Sequence, residues 1–89
     1  MLVVPTTQQV IDVRRLTQSL ATPAMTLDKA KAVLARLGTS SGSLPTALDT
    51  AQEQLRTFIR GSMRIKDDTQ RNAEIQRLGA AFQAEGVLN

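Results

Sequence analysis

The sequence has no histidine, cysteine, tryptophan or tyrosine in its 89 residues, and its only aromatic side chains are Phe58 and Phe82. Each absence removes a class of chemistry. Without histidine, no side chain has an ordinary pKa near neutrality, so the commonest general acid–base group is missing. Without cysteine there is no disulfide staple and no thiol nucleophile. With both missing, a zinc site lacks its usual ligands. Without tryptophan or tyrosine, the rings that stack on bases or anchor contact surfaces are almost gone. Long apolar runs are missing too: none approaches the ~20 residues that span a bilayer. The start, Met1-Leu2-Val3-Val4-Pro5, has no basic leader, and its apolar run is shorter than the roughly 7–15 residues of a secretory-signal core. The expectation is a soluble protein without a cleavable signal, in the cytoplasm, in a virion, or exported by a signal-independent route.

What remains is alanine, leucine, threonine, glutamine, arginine and aspartate in short amphipathic runs. The apolar fraction is 42%, much of it alanine. The net charge is +3. The pI of about 10.2 overstates that basicity, because little titrates between the carboxylates and the lysines. A charge of this size favours solubility and draws anions weakly. A chain this short supports one domain, here residues 1–89, and a domain this small gains from well-formed helices or from burial against another chain.

The periodicity predicts an all-α protein, either a helical hairpin or a small three- to four-helix bundle, with helices at about 7–21, 27–37, 44–66 and 68–85. After an extended lead over residues 1–6, Thr6 or Thr7 can cap a first helix whose stripe is Val10, Val13, Leu16, Leu20 and Ala21. Ile11 lies off that stripe, and Pro23 ends the helix. Thr26 caps the second, with Asp28 in its first turn, the stripe Leu27, Ala30, Val33, Leu34 and Leu37, and Gly38 as its C′ residue. Thr39-Ser40-Ser41-Gly42 reads as a chain reversal. Ser43 can cap a third helix with Pro45 in its first turn. Leu44, Leu48, Ala51, Leu55, Phe58, Ile59 and Ser62 share one face there. Asp49, Glu53, Arg56, Arg60 and Arg64 share the other.

Beyond Met63 the apolar phase slips. Asp67-x-x-Gln70 has capping-box spacing and suggests a new helix, whereas Asp67 and Arg71 at i,i+4 suit one continuous helix; both readings stand. Ile75, Leu78, Gly79 and Phe82 form a stripe out of phase with Leu48–Ile59. Gly86 ends the last helix, and Val87-Leu88-Asn89 is a short apolar tail. The expected internal core is Leu34, Leu37, Leu48, Leu55 and Phe58.

No constellation for catalysis is framed. Asp67 and Asp68 are adjacent, and neighbours on a helix diverge by about 100°, so a helix-cap role fits them better than paired acid–base work. No glycine-rich phosphate loop occurs. The expectation is a non-enzyme with no catalytic or metal-binding residues, no cofactor and no small-molecule substrate. Two binding readings follow. The first is a protein-contact or assembly subunit of a larger complex, such as a secretion apparatus or phage particle, binding a protein partner or further copies of itself. Its contact surface would be Ile75, Leu78 and Phe82, because the second half of the chain presents apolar residues at two azimuths. The alternative is a small basic regulatory or nucleic-acid-binding protein. Arg56, Arg60 and Arg64 would then follow a phosphate backbone, and helices 8–20 and 27–37 would form a helix-turn-helix with a long turn containing Pro23.

In outline, a helix, a Ser/Gly/Pro reversal near mid-chain and a longer helical second half resemble the needle subunits of type III secretion systems. That resemblance implies a helical hairpin that polymerises without catalysis. The needle family's paired prolines and tyrosine-rich second helix have no counterpart between Gly38 and Pro45 or beyond, so no residue role is carried over.

Overall fold

Thr6 begins the first helix with two reciprocal bonds. Its hydroxyl accepts from the Gln9 backbone N–H at 3.1 Å, and Gln9 Oε1 accepts from the Thr6 N–H at 3.0 Å. The structure, a computed structural model, describes residues 5–88. The expected extended lead at residues 1–4 and the last residue of the tail lie outside the described residues. Helix α1 spans Thr7–Ser19, α2 Leu27–Arg36, α3 Leu48–Met63 and α4 Asp68–Ala84, with a single 3-10 turn at Ser41–Ser43. Of the architectures the sequence allows, a compact four-helix bundle forms. Its radius of gyration, 12.8 Å, is close to the ~12 Å of a compact chain this long, so an extended hairpin is not what forms.

Helix ends follow local chemistry, with three departures from expectation. α3 stops at Met63 rather than near residue 66, because the Arg64 and Ile65 N–H groups turn back to the Gly61 and Ser62 carbonyls. α1 stops two residues early, because Leu20, Ala21 and Thr22 tighten into i→i+3 bonds with Thr17, Gln18 and Ser19. α3 starts at Leu48 rather than near residue 44. Leu44 precedes a proline and takes the extended conformation (φ −69°, ψ 137°) that such residues favour. Pro45 is buried outside the helix, and the Ser43 hydroxyl accepts from Ser40 instead of capping. Both glycine-terminated helices end in the same motif. At α2 the Gly38 and Thr39 N–H groups bond Ala35 and Leu34; at α4 those of Gly86 and Val87 bond Gln83 and Phe82. This double bond pattern needs a left-handed residue, and Gly38 (φ 102°) and Gly86 (φ 71°) supply it.

The question of one helix or two after residue 44 resolves as two. In a continuous helix the Ile65 carbonyl would pair with the Thr69 N–H and that of Lys66 with the Gln70 N–H. Here the Gln70 N–H goes to the Asp67 carboxylate at 2.8 Å. Arg71 Nη1 takes the Ile65 carbonyl at 2.9 Å and that of Lys66 at 3.4 Å. Arg71 therefore pairs with Asp68 (2.7 Å) and with the linker backbone, not with Asp67 as the i,i+4 spacing suggests.

The core joins all four helices: Leu16 and Leu20, Met25, then Val33, Leu34 and Leu37, then Leu55 and Ile59, then Leu78 and Phe82, closed by Val87 from the tail. α1 packs chiefly on α4 and α2 chiefly on α3, while α3 and α4 pack on each other. Of the expected core, Leu34, Leu37 and Leu55 are buried, whereas Leu48 and Phe58 lie half-buried on its rim. Polar ties fasten the ends. Gln52 donates to the Leu20 carbonyl at 2.7 Å, Arg77 to that of Leu37 at 3.3 Å, and Arg36 meets Glu85 at 2.7 Å.

Candidate interaction surface

The stripe Ile75, Leu78 and Phe82, expected as a contact surface, is covered by the chain's own helices. The three are 2%, 0% and 0% exposed inside the chain's own bundle. The break at Arg64–Asp67 lets α4 turn this stripe towards α1 and α3, so the phase slip between α3 and α4 directs both stripes inward. Among the described residues the one large apolar side chain that is well exposed is Ile11, at 44%. It projects from α1 opposite Leu16 and Leu20, and a lone exposed apolar residue is ordinary on a protein surface.

The second predicted group is brought together on the surface. Arg56 and Arg60 on the flank of α3 and Arg64 at its C-terminal cap stand in line, about 6 Å apart per step along the axis. Arg56 meets Glu53 at 2.6 Å and Arg60 meets the other oxygen of the same carboxylate at 3.4 Å. Such exposed pairs contribute at most about 1 kcal/mol and exchange readily. Arg64 forms no ion pair with the described residues.

These arginines border a groove that composition and spacing do not reveal. Val13 and Thr17 of α1 form one wall. Ile59 and Met63 of α3 form the floor and near wall, and the arginines stand along the rim. The groove opens to the surface, has a volume of about 390 Å³ and is mainly apolar. Ile59 is buried beneath it, Val13 and Met63 are half-buried, and Arg60 and Arg64 are exposed. Met63 falls off the main stripe in the sequence, which is the one signal for it; the wall from α1 is nonlocal. Two further clefts lie between α1 and α4, lined by Leu16, Ile75 and Gly79 among others, and between α3 and α4, beside Phe58 and Ile65.

The helix-turn-helix arrangement does not form as a unit. α1 and α2 occupy nearly the expected residues, but their principal neighbours are α4 and α3 rather than each other. The carboxylates Asp67 and Asp68 serve structure: Asp67 caps α4, and Asp68 accepts from Arg71. Among the described residues no group of three or more acidic side chains is gathered as for a metal ion, and no helix is long and apolar enough to cross a membrane. No family model, curated protein or solved structure matches the chain.

Proposed function

We propose that this chain is a non-catalytic helical module that acts by protein–protein contact within a larger assembly, with the α1–α3 groove as its contact face. The observation that carries the reading is the groove itself: Val13, Ile59 and Met63 leave an apolar trough between two helices, open at the surface and rimmed by flexible cations. Helices commonly receive partners in such troughs, and the unbranched thioether of Met63 adapts to different shapes. The basis for association is this trough, not the Phe82 stripe.

Contact with nucleic acid is the second reading, and it draws on the alignment of Arg56, Arg60 and Arg64. It is the weaker of the two. Asp49 and Glu53 stand on the same flank of α3 and repel phosphates, and no aromatic ring lines the groove for base stacking.

The test is selection of displayed helical peptides against the immobilised protein, with duplex DNA as a parallel probe. The expected result is peptides that shift the methyl signals of Val13 and Met63. Recovery of no peptide, or DNA binding that is tighter and steeply salt-dependent, overturns the reading.

A further inference from the structure

We infer that the α1–α3 groove takes an amphipathic helix of a partner protein whose apolar stripe is bordered by carboxylates at i,i+4 spacing. This rests on the protein-contact reading above and names the partner's chemistry. Three observations converge. The trough between α1 and α3 is apolar at Val13, Ile59 and Met63, so the occupant brings an apolar face. The rim carries Arg56, Arg60 and Arg64 on one side, so the occupant's flank on that side is acidic. The arginines repeat every four residues, about 6 Å along α3, and this is the interval at which a second helix lying alongside presents residues of one face. A helix thus meets the rim in register.

The existing pairs favour exchange. Glu53 holds Arg56 and Arg60 only at the exposed surface, and Arg64 has no carboxylate among the described residues. An incoming carboxylate opposite Arg64 needs no pair to be broken. A second copy of the chain is a poorer occupant. Among the described helices the only carboxylates at i,i+4 are Asp49 and Glu53, and they flank the arginines themselves. Duplex nucleic acid matches the charge but leaves the apolar trough uncovered.

The experiment uses displayed peptides of about 18 residues, five helical turns, randomised on a helical framework and selected against the whole protein. The expected peptides carry Leu, Ile or Met at i, i+3, i+4 and i+7, bordered by Glu or Asp. Binding of a recovered peptide weakens by about tenfold or more in the double variant Arg60→Glu, Arg64→Glu, with unchanged helical circular dichroism. Affinity returns when the peptide's carboxylates are replaced by lysine.

Peptides without acidic bias, or binding indifferent to the charge reversal, overturn this inference while leaving the protein-contact reading standing. Recovery of no peptide overturns the reading itself. A concentration-dependent dimer by light scattering that protects the Val13 and Met63 methyls, or duplex DNA that displaces the peptides from the same groove, assigns the groove to a different occupant and also overturns the inference.

Discussion

Arg71 Nε donates to Gln9 Oε1 at 2.9 Å, joining side chains 62 positions apart in sequence. The same amide oxygen closes the capping box of α1, and the Gln9 Nε2 donates to Asp68 at 3.3 Å. One buried guanidinium, 3% exposed, thereby joins the start of α1, the linker after α3 and the first turn of α4. Buried charge is tolerated only when its donors are satisfied, and here every nitrogen of the group has an acceptor.

Two variants separate the parts of this cluster. Arg71→Met should destabilise by about 3 kcal/mol, since it leaves the Ile65 carbonyl without its side-chain donor and removes one of the two donors to Gln9 Oε1. Asp68→Ala should cost less, about 1–2 kcal/mol: it takes the acceptor from the buried Arg71 Nη2, but water reaches the place of the exposed carboxylate. Urea midpoints at unchanged slope check both. Equal losses would mean that the ion pair, rather than the bonds to backbone and amide, carries the stability.

Phe82→Ala should destabilise by about 3–5 kcal/mol, the range for emptying a buried aromatic site. That is a large share of the roughly 5–15 kcal/mol that holds a domain together. Thermal melting measures it. Near-wild-type stability would place the ring outside the core, contrary to its complete burial.

Four of the five glycines divide into two groups. At Gly61 and Gly79, inside α3 and α4, an added methyl meets nothing within 4 Å. Alanine at either should stabilise by roughly 0.5–1 kcal/mol, raising Tm by several degrees, as about 1 kcal/mol does in a domain this size. At Gly38 and Gly86 the backbone is left-handed, and alanine should destabilise by about 1 kcal/mol or more. A uniform response across the four would contradict these conformations.

Asp67→Ala removes the acceptor of the Gln70 N–H. A loss of about 1 kcal/mol is expected, with Asp67→Asn retaining most of the stability. Amide exchange at Gln70 should accelerate in the alanine variant. Unchanged exchange would mean that α4 does not depend on this cap.

Much of the secondary structure is legible because its determinants are local. Thr26 caps where its spacing to the first turn says it should, Thr6 is one of the two candidates for α1, Asp67 takes up the capping reading of the two its spacing allows, and Gly38 and Gly86 end helices. The start of α3 is less legible, since Ser43 and Pro45 have the chemistry of a helix start, yet Leu44 is held extended by its proline and Pro45 is drawn into a buried position. For the candidate surface, the alignment of Arg56, Arg60 and Arg64 is a matter of four-residue spacing and is visible at once. Its apolar trough is not, because Val13 and Thr17 come from a helix some forty residues away.

The amino-acid order alone establishes that this chain is helical, that Thr26 starts a helix, that Gly38 and Gly86 end helices, and most members of each apolar stripe. These depend on hydrogen bonds and side-chain periods within a few residues. Which stripe covers which is settled by the packing of the whole chain. The stripe of Ile75, Leu78 and Phe82 has the same pattern whether it faces a partner or its own chain, and the turn between Arg64 and Asp67 points it inward. Arg71 likewise looks like a surface residue until Gln9 arrives from the far end of the chain. The azimuth of one helix about another is a long-range quantity, set when the whole chain closes on itself, and no local period encodes it.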